Sequence, residues 1–226
     1  GSFFHDSAAD IVRYAPRLGE TSPSSVDAVL PLVEVLVHGA DVSAVSFSDL
    51  TFEHATWLLP STPAGFVDDQ AGTHVLCRRT SRNDYCPLIP VPGNLHFERS
   101  KSVSFTNCSF EHLGAAAVYF DIGCQDSLVS RGNFTDVSGA AVQIGAFSDY
   151  NQSIAANRTA NNTVEDSTVT GTPVEFHGSA ALTAFITQGT TFRHNEITDT
   201  PYSAITLGWG WTTDVGEHGY SCCQRV

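Results

Sequence analysis

The chain has 226 residues, 42% of them hydrophobic and 15% charged, enough apolar material for one domain with a substantial core and too much for a disordered chain. Its formal net charge is −13 and Lys101 is its single lysine, which excludes nucleic-acid phosphates and anionic membrane surfaces as partners, since both need clustered Lys and Arg. No apolar run approaches the roughly 20 residues of a membrane span, and the abundance of Gly, Ser, Thr and Asn favours short strands and tight turns over long helices.

In chain order, residues 1–40, with Tyr14-Ala-Pro-Arg17 and the apolar run Val29 to Val37, read as strands leading into a solenoid that occupies 41–226. Five segments then superpose: Val45-Ser-Phe-Ser-Asp-Leu-Thr-Phe-Glu-His54, Val103-Ser-Phe-Thr-Asn-Cys-Ser-Phe-Glu-His112, Leu128 to Asp136, Thr163 to Gly171 and Thr191 to Asp199. Each alternates apolar and polar residues, turns at a small or polar residue, and resumes with one more apolar residue. A small-residue turn and a second alternating strand follow most of them, as in Ala117 to Asp121, Ala141 to Gly145, Ala181 to Phe185 and Ala204 to Gly208. Residues 58–94 interrupt the first interval with a long excursion rich in Pro, Gly and Asp. The other copies recur about every 24 to 35 residues, the length of one solenoid turn plus loops.

A single turn cannot bury its own apolar face. Stacking places Phe105, Phe110, Val118 and Phe120 over Val129, Phe134, Val142 and Ile144 in one continuous core. A β-sandwich would also show many short strands, but not the same order of strand, turn and strand in each unit. The expected fold is all-β, a solenoid of parallel strands.

Five Asn-x-Ser/Thr sequons, at Asn107, Asn133, Asn151, Asn157 and Asn161, exceed the roughly two expected by chance from nine asparagines, and point to glycosylation on a eukaryotic secretory route. Six cysteines fit an oxidising compartment. The first expected disulfide is Cys77–Cys86, closing the polar loop between them, and the second is Cys108–Cys124. Adjacent Cys222 and Cys223 would find partners outside this chain. No Cys-x₂-Cys pair is present, so no metal and no cofactor are expected; Asp68-Asp69 alone is weak evidence for calcium. With no leader peptide at its start, the chain reads as a mature or trimmed form.

The stretches Asp49-Leu-Thr-Phe-Glu-His-Ala-Thr-Trp-Leu-Leu-Pro-Ser61, Pro173-Val-Glu-Phe-His-Gly178 and Asp199-Thr-Pro-Tyr-Ser-Ala-Ile-Thr-Leu-Gly-Trp-Gly-Trp211 resemble secreted right-handed parallel β-helix proteins related to glycoside hydrolase family 141. The resemblance runs from Phe3 to Trp211 and implies a glycan as substrate or ligand. Such proteins continue for further turns, so the resemblance also implies that this chain is a fragment, whose partners include the rest of the same precursor or another subunit.

Side chains alternate across a strand, so Tyr119, Gln143, Thr183 and Thr206 are expected to form one exposed ladder. The turns beside these strands supply Asp121, Glu175, His177, Asp199 and Tyr202, and Trp209 and Trp211 offer aromatic faces for sugar rings. Glycoside hydrolysis needs two carboxylates, about 5–5.5 Å apart for retention or about 6.5–9.5 Å for inversion. Neighbouring coils, roughly 4.8 Å apart, can meet either requirement. Glu175, Asp199, Asp121 and His177 are therefore the catalytic candidates, and Tyr119, Gln143, Tyr202, Trp209 and Trp211 the substrate-binding ones.

Each has a plainer reading: Asp199 as a turn former, Glu175 and His177 as loop braces, Asp121 as a solvated strand end, the tryptophans as packing. The leading expectation is a glycoside hydrolase, or part of one, acting on a neutral glycan. The alternative is a non-catalytic glycan-binding or structural extracellular β-helix within a larger assembly. A polysaccharide lyase fits worst, because its uronate substrate calls for basic residues that this acidic chain lacks.

Overall fold

The computed structural model describes residues 2–6, 8–75, 88–146, 149, 152–208 and 225–226. Among them helical structure is limited to single 3-10 turns such as Leu59–Ser61 and Ala155–Asn157, and no helix is long and apolar enough to cross a membrane. Residues 1–30 form a compact unit of their own, built on an antiparallel hairpin of Ser2–Asp6 and Ile11–Ala15.

The second unit, Pro31–Val226, carries three sheets of parallel strands. Sheet I stacks Val37–Ala40, Gly93–Glu98, Ala116–Phe120, Val142–Ile144, Leu182–Ala184 and Ile205–Leu207. Sheet II stacks Ser46–Ser48, Ser104–Thr106, Leu128–Ser130, Thr163–Glu165 and Thr191–Arg193. Sheet III stacks Thr51–Ala55, Ser109–Leu113, Asn133–Val137, Thr168–Thr170 and Glu196–Thr198. The chain visits I, II and III in unchanging order, and each strand pairs in parallel with its counterpart one circuit away. The repeated segments are thus the II–III pairs, and the short strands that follow them are those of sheet I.

Register aligns like with like. Phe105 pairs with Phe47 and Val129, Phe110 with Phe52 and Phe134, and Val118 with Leu95 and Val142. These columns point inward and make the main core, where Phe97, Phe105, Phe110, Phe120 and Phe134 are all essentially inaccessible.

The corners have a shared backbone solution. Asp49, Asn107, Arg131, Asp166 and His194, between sheets II and III, all have positive φ, and so do His54, His112 and Asp136, next to last in their sheet III strands, and Gly171 and Asp199, just after theirs. The left-handed region is costly for most residues but is visited readily by Asp, Asn and Gly. Six of these ten positions hold Asp, Asn or Gly, which accounts for most of the small or polar residues that punctuate the repeat.

The expected Cys108–Cys124 disulfide is not formed; both are buried free thiols. Cys108 lies at a sheet II–III corner, where its thiol reaches the carbonyls of Phe47 and Thr106, whereas Cys124 lies between sheets I and II and donates to the Phe97 carbonyl. The two cysteines turn different corners of the coil, so their thiols are directed to different carbonyls. Cys77, Cys86, Cys222 and Cys223 lie outside the described residues.

Within the excursion, Val67–Asp68, Thr73–Val75 and Leu88–Pro90 make a small antiparallel sheet. It lies against sheet I through a second apolar cluster of Val91, Ala115, Ala116, Ala140 and Phe176, with Trp57 and Phe66 packed on it. Hydrogen bonds pin it further: Gln143 Nε2 donates to the Val91 carbonyl (3.0 Å), and Gly178 N donates to Asp68 Oδ2 (2.7 Å).

Candidate functional site

The outward residues of sheet I form one ladder, His38, His96, Tyr119, Gln143, Thr183 and Thr206, each paired in register with the next. The ladder was expected in the last four, but as an exposed surface. Tyr119, Gln143 and Thr183 are instead buried, at 4%, 0% and 0% accessibility, around the place where Val91 and Gly72 of the excursion approach the sheet. The reason is tertiary: the alternation that points a side chain away from one core says nothing about a second layer laid over it.

Where the ladder stays accessible, at its His38–His96 end, it meets carboxylates. Asp121, directly after the Ala116–Phe120 strand, places Oδ2 3.0 Å from His96 Nε2 and accepts from the Ile122 amide through Oδ1 (2.7 Å). The His96 ring stacks on Tyr119 at 5.2 Å, and the Tyr119 hydroxyl donates to the Gly145 carbonyl. Burial, with Asp121 nearby, holds the Tyr119 phenol well above its ordinary pKa, so it remains a neutral donor.

Glu98 is the neighbour of Asp121 one coil away, because Phe97 pairs with Phe120 and each acid follows its phenylalanine. Arg99 Nη1 donates to Glu98 Oε2 (2.7 Å), and the same guanidinium clasps Asp41 through Nε and Nη2, both at 3.0 Å. Side-chain accessibilities of 32% for Glu98, 21% for Asp121 and 27% for His96 leave all three reachable from solvent. Two acids, one coupled to an imidazole and one to a guanidinium, thus occupy neighbouring register positions on adjacent coils.

His96 and Glu98 escape the repeat pattern, although Leu95-His-Phe-Glu98 alternates like Ala117 to Asp121. That strand emerges straight from the Pro-rich excursion, and Val91-Pro-Gly93 leads into it in place of the alanine-rich turn of its counterparts.

The other candidates lie at the opposite, leading edge of sheet I. Glu175 and His177 belong to the connection between Thr168–Thr170 and Leu182–Ala184, which is anchored by buried Phe176 and by the Glu175 and Phe176 amides donating to the Ser138 carbonyl. Both side chains are exposed, and His177 Nε2 contacts the Val174 carbonyl at 2.9 Å. Asp199 is an exposed corner residue with φ 56°, and Tyr202, three residues on, is 52% accessible. At about 3.3 Å per residue, a five-residue strand such as Ala116–Phe120 separates these residues from the level of Asp121 by roughly 16 Å. The structure groups Glu175, His177, Asp199 and Tyr202 along one edge and Asp121, His96 and Glu98 along the other. Trp209 and Trp211 lie outside the described residues.

No three His, Cys, Asp or Glu side chains among the described residues converge as a metal site. Asp68 and Asp69 are engaged locally: burial raises the Asp68 carboxyl above its ordinary range while it accepts from Gly178, and Asp69 caps the Gln70 amide.

No protein-family model matches the chain, and no curated protein does. A glycoside hydrolase of known structure does: it is 28% identical, superposes with a TM-score of 0.80, and aligns over 93% of this chain and 39% of its own. The chain thus has a glycoside hydrolase-like fold and spans about two-fifths of the length of that structure.

Proposed function

We propose that this chain is part of a secreted, right-handed parallel β-helix related to glycoside hydrolase family 141, which cleaves a neutral glycan with Asp121 and Glu98 as its paired carboxylates. In this reading the solenoid begins with the sheet I strand Val37–Ala40. The observation that carries it is the placement of those two acids on adjacent coils of one partly exposed face, on a fold shared with a glycoside hydrolase.

Strands one coil apart are separated by roughly 4.8 Å, a spacing compatible with either stereochemical outcome once side chains extend. Asp121, in contact with the His96 imidazole, is suited to give a proton to the departing glycosidic oxygen and recover it. Glu98, one coil away and held by Arg99, serves as nucleophile or base. His96 is a positioning residue that fixes the Asp121 carboxylate between itself and the Ile122 amide.

Asp121→Asn and Glu98→Gln test this against a panel of neutral oligosaccharides, each expected to lose about 10²–10⁴-fold in turnover with the fold intact. Glu175→Gln and Asp199→Asn belong in the same experiment. If these two abolish turnover while the first two leave it near normal, the chemistry belongs to the other edge of sheet I. The ion pairs that already engage both acids also favour a second reading, a non-catalytic glycan-binding coil. Binding of a glycan without cleavage by the wild type would select that reading.

A further inference from the structure

At the corner where sheet I passes the chain to sheet II, a cleft of about 390 Å3 opens, lined among others by Arg99 and Ile122, the residues that directly follow Glu98 and Asp121. Arg99 and Lys101 form one side, Ile122 and Gly123 the floor, and Gln152, Ala156 and Asn157 the facing wall. Its volume lies within the roughly 300–1,000 Å3 typical of small-molecule sites.

The facing wall is built rather than incidental. Gln125 Nε2 donates to the carbonyls of Ala156 (3.0 Å) and Arg158 (2.8 Å), and Arg158 Nε donates to the Gln152 carbonyl (3.0 Å). The Gly123 amide donates to Thr159 Oγ1 at 2.9 Å, tying the floor to the wall. Gly123 has φ 75°, and a Cβ there would stand 3.3 Å from both Arg99 Cα and the Asn157 carbonyl oxygen, so glycine permits the close approach.

The chemistry of the lining selects its occupant. The Lys101 ammonium and the Asn157 amide have no hydrogen-bond or ion-pair partner among the described residues. Gln152 spends Oε1 on the Ile154 amide and keeps its NH₂ group as a donor. Arg99 is committed to Asp41 and Glu98, and with Asp121 next to Ile122 the two positive charges meet three negative ones, so no positive excess attracts an anion. Ile122 and Ala156 add apolar surface for the C–H face of a ring. Convergent donors, a nearby carboxylate and an apolar floor suit a neutral ring bearing many hydroxyls.

We infer that this cleft is a subsite for one neutral pyranose unit of the glycan, with Lys101 and Gln152 as its specificity determinants. The inference rests on the glycan-active reading above and adds where a sugar sits: the cleft is joined to the acids through Arg99, which lines it and donates to Glu98, and through Ile122, whose amide donates to Asp121.

The test uses protein made without N-glycosylation, because Asn157 is also a sequon. Affinity is measured by titration calorimetry for a panel of neutral oligosaccharides and for uronate-bearing counterparts. Lys101→Ala and Gln152→Ala are each expected to weaken the neutral ligand about 10-fold. Ala156→Trp, which fills the cleft from an exposed position, should abolish its binding. Unchanged thermal unfolding shows that the variants retain the fold. Neutral binding by the wild type that survives all three substitutions overturns the cleft assignment and leaves the glycan-active reading standing. Preferential binding of the uronate series overturns the neutral assignment. No binding of any glycan by the wild type overturns both.

Discussion

Phe110 is where the stacked core should be most sensitive. The ring is fully buried in the second circuit of sheet III, stacked on Phe134 (4.5 Å between centroids, 6° between planes) and on Phe52 (5.5 Å, 15°), and it meets Phe105 edge-on at 5.7 Å. Truncating a core phenylalanine to alanine costs about 3–5 kcal/mol, and each favourable aromatic pair adds about 0.5–1.5 kcal/mol beyond area. Phe110→Ala should therefore fall at the upper end, near 5 kcal/mol, a large part of the roughly 5–15 kcal/mol that holds a domain together. Neighbouring coils stabilise each other mainly through their shared interfaces, so a residue with a coil on both sides loses more than one at an edge. Phe52, partly buried in the first strand of sheet III, should cost about half as much on truncation. Urea unfolding followed by far-ultraviolet circular dichroism measures both. A loss below about 1 kcal/mol for Phe110→Ala, or a larger loss for Phe52→Ala, would refute the stacked-column account.

Three further outcomes are expected. Cys108 and Cys124 should resist alkylation in the native protein and react on denaturation, since both are buried and burial pushes the Cys124 thiol up to about 12; a peptide map showing them joined would contradict the corner geometry. His74, 1% accessible between Trp57 and Phe66, has its pKa lowered by burial from 6.5, so the unfolded chain binds its proton more readily. Its contribution to stability is complete above pH 6.5 and declines as pH falls from there towards the depressed folded value, a slope in Tm that His74→Phe should reduce and that would disprove the assignment if unchanged. Natively sourced protein should lose mass on glycosidase treatment, first from Asn133 and Asn157, which are exposed, whereas the Asn107 and Asn161 amides donate to Asp49 and Asp126; an unaltered intact mass would remove the secretory argument.

Much of the scaffold is local information. Alternation in Val103-Ser-Phe-Thr and Ser-Phe-Glu-His112, broken at Asn107, specifies two strands and a corner, because side chains alternate across a strand and Asn tolerates positive φ. Repetition of that pattern makes stacking the economical way to bury Phe105 and Phe110, and parallel register follows when identical positions are superposed. Asp121 was legible for the same reason, as the polar residue closing an alternating strand.

What tertiary structure decided concerns relations between segments that share no pattern. The excursion's descent onto sheet I buried Gln143 and Thr183, and where it lands is set by the packing of Phe66, Trp57 and Phe176 together with the bonds from Gln143 to Val91 and from Gly178 to Asp68. The partnership of Asp121 with Glu98 and His96 depends on register between strands more than 20 residues apart, one of them emerging directly from that excursion. Glu175 and Asp199 look equivalent to Asp121 in sequence, since all three border sheet I strands. They lie at its opposite edge because a strand has direction: a residue before it and a residue after it are separated by its whole length.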